Sequence, residues 1–261
     1  MFSRLTIMGG QDKDGRREPV DELVIEKGQI YAVVGFTGSG KSQLIRDIEE
    51  LAQCDTISKR RILLDGQEPD HRVRFNAEKK VVAHLSQNMN FVLDMQVGEF
   101  LMLHAECRGF ANPQQKTSEV IACANNFAGE PIKPEYYLTS LSGGQSRSLM
   151  IADVAINSNS PVILIDELEN AGIDKLKAMK TLAEHGKIVL IVTHDPLLAL
   201  FGTKRIIMKN GAMQNILELT EQEKQVRQKL KKMSDVVFGI QDSLRRGLNL
   251  SHETTDLLGG V

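Results

Sequence analysis

Cysteine is scarce in this chain. None of the three present, Cys54, Cys107 and Cys123, stands in a Cys-x-x-Cys pair. An odd, scattered set speaks against a disulfide framework or a paired-cysteine zinc site and points to a reducing compartment. The sequence also lacks any run approaching the roughly 18 apolar residues of a membrane-spanning helix. Its start shows no charged segment leading into a long apolar stretch, so no secretory signal is expected. The expected location is cytoplasmic, with contact to the inner face of a membrane only through a partner. Charge of one sign is missing as well: 32 Lys+Arg face 34 Asp+Glu, a formal net charge of -2. That balance argues against a chain built to coat nucleic acid, and no motif gives direct evidence for one. Internal repeats and low-complexity segments are absent.

What is present is a core-forming chain. Of its 261 residues, 41% are hydrophobic, enough for one large α/β domain with a modest appendage. Strands are predicted at residues 2–8, 23–26, 30–34, 61–64, 80–85, 162–165, 187–192, 205–208 and 213–216. Helix is predicted from Lys41 to about Ala52, across residues 97–128 with a break at 109–113, and after Gly144. Strands alternating with helices imply a mostly parallel sheet covered by helices.

Residues 221–248 have a different character. Val226, Leu230, Met233, Val237, Ile240 and Leu244 recur at spacings of four and three, a helical stripe with a period of about 3.5. Lys224, Arg227, Lys229, Lys231 and Lys232 crowd its first half. Such a helix can dock or dimerise, or can lie on the protein's own core.

Gly35-Phe-Thr-Gly-Ser-Gly-Lys41-Ser42 matches G-x-x-x-x-G-K-[ST] between a predicted strand and a predicted helix. The glycines Gly35, Gly38 and Gly40 let the backbone turn tightly, so that Thr37, Ser39 and their neighbours present successive N–H groups to phosphate oxygens. The helix start adds its positive dipole end. Lys41 is expected on the β- and γ-phosphates of ATP, and Ser42 on Mg²⁺, which prefers hard oxygen ligands. Further on, the apolar run Val162-Ile-Leu-Ile-Asp166-Glu167 ends in two carboxylates. Asp166 is expected to hold Mg²⁺ and Glu167 to orient or deprotonate the attacking water.

Leu141-Ser142-Gly143-Gly144-Gln145 precedes a helical run. Here the chain resembles the ATP-binding cassette superfamily. The phosphate loop, Gln87, this signature, the acidic strand, Asp174 and His194 stand in that family's order over residues 5–216. The resemblance implies an ABC-type P-loop ATPase: a mostly parallel sheet, an antiparallel N-terminal β part and a helical signature subdomain at about 88–158. The cassette would occupy residues 1–218, and residues 219–261 would form an amphipathic helix and tail. It further implies that Ser142, Gly143, Gly144 and Gln145 face the γ-phosphate of ATP held by a second cassette, in a homodimer. Asp174 would sit at the nucleotide seam, Gln87 would touch Mg²⁺ or the water, and His194 would contact the γ-phosphate.

Two features depart from the family pattern. Residues 8–19 hold no aromatic on which adenine could stack, and Arg16 or Arg17 is expected to offer a guanidinium plane instead. The stretch from Asp166 to Asp174 lacks the proline of many transporter cassettes and is one residue longer. Three jobs stay open: the ATP-binding subunit of a transporter, with Phe91, Val92, Leu93, Met95 and Val97 facing a membrane permease; a soluble machine of repair, assembly or metalloenzyme activation, acting on a soluble protein client; or a nucleotide-gated clamp with little turnover.

Overall fold

The structure, a computed structural model, describes residues 2–75, 80–86, 89–166, 172–245, 247 and 249. In chain order its strands are β1 (Arg4–Met8), β2 (Glu22–Glu26), β3 (Ile30–Val34), β4 (Arg61–Leu64), β5 (Val82–Leu85), β6 (Val162–Asp166), β7 (Ile188–Val192), β8 (Lys204–Lys209) and β9 (Ala212–Glu218). Its helices are α1 (Lys41–Glu49), α2 (His71–Phe75), α3 (Val97–Cys107), α4 (Pro113–Asn125), α5 (Gly143–Ile156), α6 (Lys175–Glu184), α7 (Pro196–Phe201) and α8 (Glu221–Arg245).

The central sheet runs β5-β6-β7-β3-β8-β9. Its first five strands are parallel, and β9 turns back antiparallel on β8. A second sheet, β2-β1-β4, is antiparallel. The parallel strands read as unbroken apolar runs because both faces are covered. Alternate residues divide between two cores. Ile30, Ala32, Ile163, Ile165, Val189 and Ile191 face one core, shared with residues of α3, α4, α5, α6 and α7. Tyr31, Val33, Val162, Leu164, Ile188, Leu190 and Val192 face the other, shared with α1 and the antiparallel sheet. The period-2 alternation of a strand therefore places α1 and α5 on opposite faces of the sheet.

Every predicted strand is present: β3 and β4 have the predicted bounds, and the others differ by one or two residues at an end. The helix from Lys41 stops at Glu49, where the chain reverses through Leu51 at φ 49° and the Ala52 N–H donates to Asp47 O. The predicted break falls between α3 and α4; Asn112 caps α4 by accepting from the Gln115 N–H, with Pro113 opening the helix. The short helix α2 was not anticipated: it buries no residue, so it carries no apolar period to read. The C-terminal helix forms, but its stripe does not lie on the protein's own core. Its packing is against α7, and Val226, Met233, Val237 and Leu244 are each about half exposed or more.

Candidate nucleotide site

Three adjacent parallel strands, β6, β7 and β3, end at one edge of the sheet, where ligands bind in open α/β folds. The phosphate loop leaves β3 at Gly35, Asp166 closes β6 opposite Val192 of β7, and His194 lies two residues beyond the end of β7. The sheet therefore brings the loop, a carboxylate and an imidazole to a common edge. Gln87 and Glu167 lie outside the described residues.

The loop has the shape of an anion cradle. Gly38 and Gly40 take φ of 77° and 103°. At Gly40 only glycine fits, because a Cβ would come within 2.6 Å of Gly211 Cα. Gly40 is also the N-cap of α1; it has no side chain to cap the helix, and the first turn carries no carboxylate. The positive end of that helix is thus not satisfied by a side-chain cap. Ser39 Oγ is buried without a hydrogen-bond partner at the same turn. Lys41, almost fully buried, donates from Nζ to the carbonyls of Gly35 (2.7 Å) and Phe36 (3.2 Å), lying along the loop it would serve. Thr37 and Ser42 are exposed, and Phe36 is 91% exposed. An uncapped helix start, an unpartnered hydroxyl and an ammonium together fit a polyphosphate. The hard oxygens of Ser42 and Asp166 suit Mg²⁺. Among the described residues no cluster of three or more His, Cys, Asp or Glu side chains could hold a metal by itself. That fits an ion taken largely by substrate phosphate and water.

Sequence reasoning missed what supports this loop. Arg60 is fully buried, with Nε 2.7 Å from Glu18 Oε1 and Nη1 2.8 Å from Asp47 Oδ2 of α1; its Nη2 donates to Gly211 O at 2.6 Å. Glu18 Oε2 accepts from the Met213 N–H at 2.6 Å, and Ser58 Oγ donates to Asp47 at 2.7 Å. One guanidinium thus ties the loop of residues 9–21, the phosphate-loop helix and the β8–β9 turn together. The Gly211 N–H completes the tie by donating to Ser39 O at 2.8 Å. Lys13 Nζ, also unforeseen, donates to Gly38 O at 2.7 Å. In the same loop, the backbone N–H groups of Arg16 and Asp14 donate to Asp12 and hold its carboxyl below the ordinary carboxylate range. Arg16 and Arg17 are largely exposed and pair with Asp14 (3.7 Å) and Asp21 (2.9 Å).

The signature forms a capping box at the start of α5. Ser142 Oγ accepts from the Gln145 N–H, and Gln145 Oε1 accepts from the Ser142 N–H. Gln145 Nε2 also donates to Pro131 O at 3.1 Å, so its side chain is held within the helical region. Gly143 is exposed at the first helical position, beside Ser142, with Gly144 partly covered after it. Asp174 caps α6, accepting from the Lys177 N–H at 3.1 Å. His194 is exposed just ahead of Asp195, which caps α7 and pairs with Lys175 at 2.9 Å.

The family model described as "ABC transporter" matches residues 21–170, spanning the phosphate loop, the signature and the acidic strand. The chain belongs to the ABC transporter family. As an ABC ATPase, the cassette is 54% identical over 257 residues to an ABC transporter ATP-binding protein of Methanocaldococcus jannaschii, covering 98% of each chain. It is 32% identical to the macrolide export ATP-binding/permease protein MacB of Campylobacter jejuni, over 77% of this chain and 31% of that protein. Among solved structures it resembles CbiO1 of Clostridium perfringens, part of the ABC transporter complex CbiONQ. That likeness has a TM-score of 0.65 at 19% identity and covers 93% of this chain and all of the other. It likewise resembles an ATP-binding cassette solved as a dimer in a post-hydrolysis state bound to ADP and Pi. There the TM-score is 0.60 at 22% identity, over 83% and 99% of the two chains. Among the described residues no helix is long and apolar enough to cross a membrane.

Proposed function

We propose that the cassette hydrolyses Mg-ATP between two copies of itself, head to tail, and acts as the cytoplasmic ATP-binding subunit of a membrane transporter. One observation carries the pairing: α1 and α5, whose starts hold the phosphate loop and the signature, lie on opposite faces of the same sheet. A second chain turned head to tail brings its signature to the first chain's phosphate loop. Phe36, exposed on that loop, is apolar surface that such a partner would cover. The transporter assignment rests on the relatives named as transporter ATP-binding proteins. In this reading residues 1–218 are the cassette proper and 88–158 its signature subdomain.

Lys41 and the loop N–H groups hold the β- and γ-phosphates. Ser142 Oγ and the Gly143 and Gly144 N–H groups of the second copy close over the γ-phosphate. Ser42, Asp166 and Gln87 would hold Mg²⁺, which would supply positive charge beside the phosphates. Glu167 orients the attacking water and takes its proton, His194 contacts the γ-phosphate, and Asp174 fixes the start of α6 at the seam. Phosphoryl transfer asks little more of a protein than this positioning and charge stabilisation.

Glu167→Gln tests the reading. The variant, passed quickly through a desalting column in Mg-ATP, should retain about one unhydrolysed ATP per chain, because attack is slowed while the pair stays closed. Tagged and expressed in its native host, it should bring down a polytopic membrane protein in comparable amount. Loss of all nucleotide on the column would refute the closed pair. Recovery of a soluble enzyme with nothing from the membrane would replace the transporter by an ATP-driven soluble machine.

A further inference from the structure

The C-terminal helix α8 has an apolar face that its own chain leaves open. It is 25 residues long, about 37 Å at the usual rise. Among the described residues its ties to the rest of the chain lie near its start. Glu223 pairs with Arg205 of β8, Arg227 donates to Leu200 O of α7 at 3.5 Å, and the Thr220 N–H donates to Glu223. Beyond these anchors the stripe of Val226, Leu230, Met233, Val237, Ile240 and Leu244 continues for five more turns. Val226, Met233, Val237 and Leu244 are 48%, 48%, 49% and 57% exposed, and no described residue of α8 is buried.

The period identifies what covers this stripe. Spacings of 4-3-4-3-4 follow a 3.5-residue repeat, which keeps a narrow seam in contact with another helix along its length. A helix laid on a globular core or in a lipid interface needs a broader apolar face at 3.6. Charge then selects the partner and its direction. Residues 221–232 hold five cations (Lys224, Arg227, Lys229, Lys231 and Lys232) against Glu221 and Glu223, whereas residues 233–244 hold Asp235 and Asp242 and no cation. Two copies side by side in parallel would stack the basic halves on each other. Two copies antiparallel, centred between Met233 and Val237, keep the two basic halves apart at opposite ends of the pair. They also pair Val226 with Leu244, Leu230 with Ile240 and Met233 with Val237. This is a self-complementary, two-fold arrangement.

We infer that α8 pairs antiparallel with α8 of a second copy of this chain, forming a dimer contact that does not depend on nucleotide. This contact is separate from the ATP-dependent seam proposed above: it keeps two cassettes together after hydrolysis has opened that seam.

The test uses the full chain and light scattering behind size exclusion. At about 10 μM without nucleotide, the wild type should elute as a dimer. Met233→Glu/Val237→Glu should be a monomer there, its dissociation constant raised roughly 100-fold or more by charge buried in the seam. Carrying Glu167→Gln as well, the double variant should dimerise when Mg-ATP is added, which shows that it is folded and that its nucleotide seam is intact. Ser234→Cys, with Cys54, Cys107 and Cys123 replaced by serine, should cross-link to itself on oxidation without nucleotide. Only antiparallel pairing at this register brings position 234 of both copies together. A wild-type monomer without nucleotide, a double variant that stays dimeric, or failure of the Ser234→Cys cross-link overturns the inference. So does a monomeric wild type that sediments with phosphatidylglycerol vesicles while the double variant does not, since α8 would then be a lipid-binding helix. If the wild type is dimeric but the Glu167→Gln background never responds to ATP, the nucleotide seam fails and the α8 contact stands.

Discussion

Arg60→Met removes the cation at the centre of the tie beneath the phosphate loop while keeping an unbranched side chain in its place. The Glu18 and Asp47 side chains have no solvent exposure, and both lose their nearest positive charge. Gln43, Ser58 and the Met213 N–H still donate to them, but these neutral donors do not balance two buried negative charges. Breaking a buried ion pair by deleting one partner destabilises by about 3–5 kcal/mol, a large share of the roughly 5–15 kcal/mol that holds a domain folded. Urea unfolding followed by circular dichroism measures this as a lower midpoint at unchanged slope. Removing the stranded charges should recover most of the loss, so Arg60→Met/Glu18→Gln/Asp47→Asn is expected to be more stable than Arg60→Met alone. The Arg60 guanidinium also holds Gly211, which packs against Gly40, so Arg60→Met should bind ATP more weakly even under conditions where it is fully folded. A loss of less than about 1 kcal/mol for Arg60→Met, or a triple variant no more stable than the single one, would refute stranded buried charge as the cause.

Further expectations concern the loop, a buried lysine and the base. Lys41→Ala should lose productive ATP binding in a fluorescent-nucleotide titration while unfolding at a near-normal midpoint; unchanged affinity would exclude Lys41 as a phosphate ligand. Lys187, buried with Nζ on the carbonyls of Ser158 and Ser160, has its ammonium pushed down to about 8, first by burial and then by Arg108 and Lys27. Between about pH 8 and the ordinary lysine value the unfolded chain holds a proton that the folded chain has released, so stability contributed at this site rises with pH across that window. The rise is at most about 1.4 kcal/mol per pH unit. Lys187→Met should therefore gain less than the wild type between pH 8 and 10 in urea midpoints, and parallel profiles would count against the shift. Because no aromatic stands in residues 8–19 to read the base, GTP should compete with ATP within about tenfold, a difference of 1.4 kcal/mol; strict ATP preference would point to another reader of the ring.

By itself the sequence determined the parts whose geometry is local. Gly35 to Ser42 between a β-branched run and a helix carries the turns and N–H groups of an anion cradle in its own residues, and distant residues brace it. Ser142 and Gln145, three apart, make a capping box in any helix that starts there. Apolar runs such as 162–165 and 188–192 can only be strands covered on both faces, and this gave the parallel sheet. Tertiary structure decided what joins elements far apart in the chain. Arg60 meets Glu18, Asp47 and Gly211 across loops, and Lys13 meets Gly38, because two sheets and a turn pack there; no periodicity encodes such meetings. The apolar stripe of α8 was legible, but its exposure was not. A helix pattern records which residues share a face, whereas burial of that face depends on how much of the core is already filled, and here α3 to α7 fill it. The placement of α1 and α5 on opposite faces, on which the two-chain reading rests, follows from strand order, which only the folded sheet displays.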